Sequence, residues 1–285
     1  RGNPGDKKMR GIEIAVLVSG LVTVLLSAWR ALDSKSDRES WITLIREAGR
    51  TNGVFDPATT ESIPEPAQRY FRYTIRPGTP LKRVVELEMT GELGLGSKEN
   101  PNYRAMTAQQ ILAPPYGLVW KLRAGSVSGS DGAMPNGSWT RLWLFRILPI
   151  VRIGGSGDHH RSAFGRVVAE GAFWAPASLL PSDTVRWELL DCTSARAIVS
   201  FSGMEQAVDI TVASNGQPTR IVMQRWSKEN AEKTYCEQPF GGDLSDFEDF
   251  GGYRLPTTVE GGNHIGTDDY FPFYKANVEA IRFRD

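Results

Sequence analysis

The chain has 285 residues with 33 basic and 33 acidic side chains, so no global field marks it as a partner of nucleic acid or of an acidic surface. Two cysteines and three histidines are too few for a rich metal centre. Setting one apolar run aside leaves about 235–250 residues, enough for one large domain or two small ones.

Residues 1–10 are a basic segment containing Arg1, Lys7, Lys8 and Arg10. Ile14 to Trp29 then runs sixteen positions without a charge. With flanks that can snorkel, residues 11–32 predict a transmembrane helix of roughly 33 Å, enough to cross a bilayer core. The competing reading is a cleaved signal peptide, which needs small residues at −1 and −3. Cutting after Ala28 puts Leu26 at −3, and cutting after Ala31 puts Trp29 there. A retained anchor is therefore expected. Basic residues are slightly denser before the helix than after it, where Arg30, Lys35 and Arg38 follow. The expected orientation has a cytoplasmic N-terminus and a periplasmic domain on a bacterial inner membrane. Trp29, Arg30 and Trp41 suit the membrane interface. Ala15, Ser19, Thr23 and Ser27 recur every four residues with Gly20 beside them, a small-residue face that admits a second helix.

Residues 33–66 read as a linker with a short amphipathic helix, capped by Ser40 and presenting Trp41, Leu44 and Ile45 on one face. A second helix is expected over about residues 65–75, with Pro66 in its first turn and Arg76-Pro77-Gly78 as its stop. The β-rich domain, 67–285, then begins in earnest. Val85, Leu87 and Met89 alternate with Glu86, Glu88 and Thr90, the pattern of a half-buried strand. Leu118–Ala124, Ala195–Phe201, Ala207–Ala213 and Thr219–Trp226 are further strands, with others near 185–190, 231–237, 244–250, 253–260 and 276–284. Asn215-Gly216 predicts a hairpin, because both turn positions tolerate positive φ. The fold class is mainly β (α+β): one transmembrane helix, then an antiparallel half-barrel or barrel-like domain with a few short helices.

Two apolar stretches interrupt the strands. Trp139–Val151 is too short to span a membrane; it packs in the core as a helix plugging the sheet, or it touches lipid. Ala163–Leu180 is a second candidate plug. Within it Arg166 and Glu170 stand four apart and would pair on a helix.

No residue set points to catalysis, a metal or a cofactor. His159-His160 on a strand would face opposite ways, and His264 is remote. The acidic run Asp243, Asp246, Glu248 and Asp249 lacks the spacing of a calcium loop and reads as the charged face of an edge strand. Ser126–Ser130 and Gly154–Gly157 lack the lysine of a phosphate loop and read as turns. No Ser, His and acid set is suggested. Cys192 and Cys236 either pair outside the cytoplasm or lie as buried thiols.

Several phrases together resemble an uncharacterised bacterial domain-of-unknown-function family, built as an N-terminal anchor plus a β-rich domain. They are Phe55-Asp56-Pro57; Pro64-Glu65-Pro66 leading to Arg69-Tyr70; Thr107 to Gln110; Pro114 to Trp120; Ala169-Glu170 with Trp174, Pro176 and Leu179-Leu180-Pro181; and Gly251-Gly252 with Arg254, Pro256 and Glu260. The resemblance spans about residues 55–260 and implies the architecture without an activity. A looser likeness to periplasmic lipoprotein carriers implies a half-barrel with an apolar lining. The expected function is a non-enzymatic accessory subunit of a larger membrane complex, photosynthetic or respiratory hosts being one setting. Its partners would be other transmembrane subunits and the bilayer. The alternative is a tethered carrier or sensor of a lipid or other apolar ligand.

Overall fold

The computed structural model of the protein describes residues 4–47 and 53–284; Arg1 and residues 48–52 of the expected linker lie outside the described residues. Two antiparallel meanders make one open thirteen-stranded sheet. The first comprises β1 (Val84–Gly94), β2 (Tyr103–Ala113), β3 (Gly117–Ala124), β4 (Val127–Met134), β5 (Gly137–Leu144) and β6 (Leu148–Gly154). The second comprises β7 (Val185–Leu189), β8 (Ser194–Phe201), β9 (Met204–Val212), β10 (Pro218–Ser227), β11 (Cys236–Phe250), β12 (Tyr253–Asn263) and β13 (Phe271–Arg284). β13 pairs with β1 and joins the halves, which leaves β6 and β7 as the open edges.

Among the described residues three α-helices accompany the sheet: α1 (Pro4–Glu47), α2 (Glu65–Thr74) and α3 (Gly157–Trp174). The chain leaves edge β6, crosses one face as α3, and enters edge β7. Helix α3 touches β2–β6 as well as β9, β10 and β12, so the sheet wraps around it and that face is concave. Ser156 caps α3, its Oγ accepting from the His159 amide at 3.2 Å, and Asp158 sits in the first turn where the helix dipole favours an anion. The main core lies between α3, α2 and the concave face, with Val85, Leu87, Leu112, Leu118, Val167, Trp174 and Val208 fully buried.

A smaller core lies on the opposite, convex face, where Leu44 of α1 meets Val84, Ile111, Val119 and Trp139. It explains a departure from the sequence reading. The polar stretch after the apolar run is no linker but a continuation of α1, uninterrupted through Glu47. Asp33, Asp37, Trp41 and Leu44 recur at i+4, i+4 and i+3, so they share a face, and that face is laid on the sheet. The apolar half of α1 projects away from the domain and is long and apolar enough to cross a membrane.

The expected strands within 84–94, 117–124, 194–227 and 253–284 are present, as is α2. Trp139–Val151 is not helical: it forms most of the β5–β6 hairpin. Trp139, Arg141 and Trp143 face α1 while Thr140 and Leu142 face the concave side. A strand covered on both faces reads as a continuous apolar run, which hid its period of two. Ser126–Ser130 lies mostly in β4 instead of a turn. The acidic run belongs to β11, an interior strand between β10 and β12, where Asp243 pairs with Arg220 across the ladder at 2.7 Å. Residues 231–235 are loop, and β11 runs unbroken from Cys236 through Gly241-Gly242. Glycine is required there: a Cβ on Gly242 would lie 1.9 Å from the Glu260 carbonyl oxygen.

The Asn215-Gly216 hairpin joins β9 to β10 as expected, but only Gly216 takes a positive φ, +88°. The turn closes with the Gly216 amide on the Ala213 carbonyl at 2.9 Å. Cys192 and Cys236 are both free and exposed, neither bridged nor buried.

Candidate functional site

The concave face holds a cavity of about 240 Å³ between α3 and the sheet, lined by Trp120, Leu122, Leu142, Phe173, Ile221 and Leu244 among others. An engineered apolar cavity of roughly 150 Å³ stays dry and binds benzene; this one has room for a larger body. Side-chain volume is missing where β11 and β12 contribute glycines. Along β12, Tyr253, Leu255 and Val259 point inward, and alternation puts Gly261 on the same side. The cavity adjoins a wide cleft of mixed lining, about 950 Å³, and Asp131, Thr140, Arg225 and Phe273 line both.

A charged network closes one wall. Arg166 and Glu170 pair on α3 as their spacing predicted, and the Arg166 Nη1 donates to Asp131 of β4 at 2.6 Å. Glu170 also accepts from Gln110 of β2. Burial alone would weaken the Arg166 cation, but Glu170 and Asp131 outweigh it and hold its pKa above the ordinary arginine value. Arg166 lies over the Trp120 ring, 4.9 Å from its centroid.

Arg225, on β10, is placed differently. Its Nε donates to Ser162 Oγ at 3.2 Å and its guanidinium lies over the Phe240 ring at 4.8 Å, with no carboxylate in salt-bridge contact among the described residues. Burial first, then the nearby Arg166, lowers its pKa, so the site disfavours this cation as it stands. A guanidinium carries five N–H donors, and most of these have no acceptor among the described residues. The buried indole N–H of Trp120 on the cavity wall also lacks an acceptor. The cavity therefore combines an apolar body with unspent donors near its mouth.

His159 and His160 lie in the first turn of α3, not on a strand. His159 Nδ1 is 2.6 Å from Ser138 Oγ and its Nε2 is 3.2 Å from Thr140 Oγ1, whose hydroxyl donates to Asp131 at 2.6 Å. Thr140 has spent its proton on Asp131, so it accepts from Nε2–H, and Nδ1 accepts from Ser138. Burial lowers the His159 pKa and keeps this neutral form. Sequence reasoning found no such grouping, because Ser138, Thr140 and His159 are brought together only by the packing of α3 on β5. It has the look of a nucleophile and base, yet Ser138 is 8% exposed and lines neither cavity nor cleft. His160 Nε2 contacts the Met134 carbonyl and His264 Nε2 that of Glu229, each at hydrogen-bond distance.

The residues assigned to the membrane sit on α1. Ala15, Ser19, Gly20, Thr23 and Ser27 are exposed and untouched by the domain, apart from the Thr23 hydroxyl donating to the Ser19 carbonyl within the helix. Trp29, Arg30 and Trp41 contact the convex face: Trp29 packs edge-on to Trp143 at 5.8 Å, Arg30 donates to Ser128 Oγ at 3.2 Å, and Trp41 Nε1 donates to Glu86 at 2.8 Å.

Residues 53–276 match the model of a family of unknown function, DUF6544. The chain belongs to that family. Comparison with curated proteins returns no match. Among solved structures, a LolA superfamily protein from Nitrosomonas europaea is 10% identical, with 77% of this chain and 92% of that one covered at a TM-score of 0.41. A domain from Vibrio parahaemolyticus described as an outer membrane lipoprotein-sorting protein is 12% identical, with 70% and 85% covered at a TM-score of 0.38. A DUF1329 family protein from Desulfovibrio piger is 11% identical, with 80% and 94% covered at a TM-score of 0.38. DUF6544 membership adds no activity, so function rests on the site itself.

Proposed function

We propose that this DUF6544 protein is a membrane-tethered carrier or sensor that binds an apolar molecule with an anionic end. The observation that carries the reading is the apolar cavity opening at Arg225, a guanidinium with free donors and no carboxylate in salt-bridge contact among the described residues. An amphiphile would lay its apolar body against Leu142, Phe173 and Leu244 and its acidic group on Arg225, relieving the burial that weakens that cation. Binding fits better than catalysis. Asp131 and Glu170 are both committed to Arg166, His159 has both ring nitrogens engaged, and the neighbouring hydroxyl of Ser138 is sealed off. In this reading α1 is a retained anchor in a bacterial inner membrane, with its N-terminus cytoplasmic and the domain periplasmic.

The test is titration of the detergent-solubilised full chain with a fluorescent fatty acid and with its methyl ester. The acid should bind and the ester bind more weakly, and Arg225→Gln should abolish the difference. Equal binding of acid and ester by the wild-type chain would overturn the anionic end, and failure of both to bind would overturn the cavity reading.

The accessory-subunit reading rests on a separate feature, the stripe of Ala15, Ser19, Gly20, Thr23 and Ser27, which nothing among the described residues covers. Ser19→Leu or Thr23→Leu should release the chain from fixed membrane partners during co-purification, whereas Val18→Leu or Leu25→Ile should not. Equal retention of all four variants would remove that reading.

A further inference from the structure

We infer that the β5–β6 hairpin is a second membrane contact, a wedge whose tip enters the interface of the bilayer that α1 spans. The inference rests on α1 being a retained anchor and is independent of the cavity's ligand.

Position along α1 sets the level of the hairpin. Leu44 packs with Trp139, near the start of β5, whereas Trp29 packs with Trp143, near its end. Strand β5 therefore runs back along α1 toward its apolar half. The tip, Phe145-Arg146-Ile147, continues that course beyond Trp143. At about 3.3 Å per strand residue, two to three residues carry it up to roughly 7–10 Å past the level of Trp29. That depth matches the ~5–10 Å to which interfacial segments bury their apolar faces. The β3–β4 turn reaches the same level, since the Phe145 amide donates to the Ser126 carbonyl at 2.8 Å.

The tip's chemistry is wrong for water. Phe145 is 67% exposed, and Ile147, Leu148 and Ile150 are exposed beside it. An exposed apolar edge strand such as β6 invites aggregation unless something covers it. The backbone adds an independent sign. Phe145 and Arg146 take φ of +50° and +62°, with the Ile147 amide closing the turn on the Leu144 carbonyl at 3.1 Å. A two-residue turn with positive φ at both positions ordinarily uses Asn and Gly. Bulky side chains there are strained, and such strain persists where the side chains have work to do.

The charge around the tip selects the lipid. A polar cleft of about 500 Å³ between α1 and the convex face is lined at its tip end by Arg30, Arg123 and Arg146. None of these three pairs with a carboxylate among the described residues. The cleft's own acids are occupied: Asp33 with Arg152 and Arg141, Asp37 with Ser130 and Arg141, Glu88 with Arg282, and Glu279 accepts from Thr90. Cations at this level face headgroups, so the partner is a bilayer containing anionic lipid.

The experiment uses the full chain carrying Cys192→Ser and Cys236→Ser, with single nitroxide-labelled cysteines at Val18, Ser126 or Leu189. The chains are reconstituted in phosphatidylcholine–phosphatidylglycerol vesicles, and collisions with oxygen and with a water-soluble nickel chelate are measured. Val18 should be shielded from nickel, which verifies that the anchor is inserted. Ser126 should favour oxygen, and Leu189, exposed on the far edge strand, should favour nickel. Adding Phe145→Asp with Ile147→Asp should return Ser126 to the Leu189 level while leaving Val18 unchanged; both sites are exposed, so circular dichroism should not change. Pure phosphatidylcholine should weaken the Ser126 signal. A Ser126 label as open to nickel as Leu189, with Val18 shielded, would overturn the wedge. A deep signal indifferent to the tip substitutions would overturn the assignment to Phe145 and Ile147, and indifference to lipid charge would overturn the basic cleft.

Discussion

The two faces of the sheet each bury an arginine–carboxylate network against a helix, and they are finished differently. On the convex face Asp33 of α1 receives both Nη atoms of Arg152, at 2.7 and 2.9 Å, together with the Trp143 indole at 3.1 Å. Asp37, one turn on, takes the Ser130 hydroxyl at 3.0 Å and has Arg141 at 3.7 Å. Carboxylates and guanidiniums there satisfy one another, and the result is a joint. On the concave face Arg166 takes both acids, and Arg225, which lines the cavity and the cleft beside it, is left with donors that no described side chain accepts. A network that closes on itself fastens two elements; one that leaves a donor over is prepared for a ligand.

Breaking the joint gives the largest expected effect. Asp33→Ala leaves Arg152 and the Trp143 indole without their shared acceptor; because Arg152 is part-exposed, the loss falls toward the lower end of the about 3–5 kcal/mol that removing one member of a buried pair costs. The expected readout is a lower unfolding midpoint and new protease sensitivity in residues 33–47. Pairing it with Arg152→Ala should recover part of the loss in a double-mutant cycle; simple additivity would mean that the two residues do not act as a pair.

Next in size is the apolar half of the same joint. Leu44→Ala empties a fully buried site between α1 and Gly117, and comparable truncations cost about 2–5 kcal/mol. Chemical denaturation should show the loss with the concave cavity's ligand affinity unchanged. A change in affinity without a change in stability would show that the two faces are coupled.

The concave face should respond the other way round. Gly261→Leu places a side chain in the cavity, its Cβ meeting nothing closer than the Gly241 oxygen at 3.4 Å. Stability should hold, because a strand glycine is itself destabilising, while affinity for an apolar probe falls at least about tenfold, or ~1.4 kcal/mol. Retained affinity would put the ligand elsewhere.

The smallest effect separates the two aspartates by pH. Burial raises the Asp37 pKa above the ordinary 3.8, more than Ser130 and Arg141 lower it. Burial also opposes ionisation of Asp33, but Arg152, Arg141 and Trp143 outweigh it and its pKa falls. A raised carboxylate costs stability as pH climbs from 3.8 through the folded value; a lowered one supplies stability above 3.8 that disappears as pH falls through the folded value. Asp37→Asn should therefore be neutral or slightly stabilising at pH 7, by less than about 1 kcal/mol, with the gain gone below 3.8. Asp33→Asn should destabilise at pH 7 and converge on the wild type in acid. Parallel pH profiles for the two variants would contradict the assignment.

The sequence determined what depends on neighbours along the chain. The uncharged run from Ile14 to Trp29 made a membrane-length helix, period-two alternation marked β1 and β9, Asn215-Gly216 marked a hairpin, and the four-residue spacing of Arg166 and Glu170 made an ion pair on α3. These are local signals, and each survives in any fold that buries one face. Tertiary structure decided the rest. Ser34–Glu47 is a polar stretch until the sheet supplies Arg141 and Arg152 for Asp33, and then it is α1. Trp139–Val151 is an apolar run until two different faces cover it, and then it is a hairpin. Strand β2 carries no clear period of two because Gln110 breaks its inward apolar alternation, a residue explained only by Glu170 sixty positions away. The cavity mouth was equally hidden. Asp131, Arg166 and Arg225 come from β4, α3 and β10, and what distinguishes Arg225 is that no carboxylate among the described residues makes a salt bridge to it, a property that only the packed structure can confer.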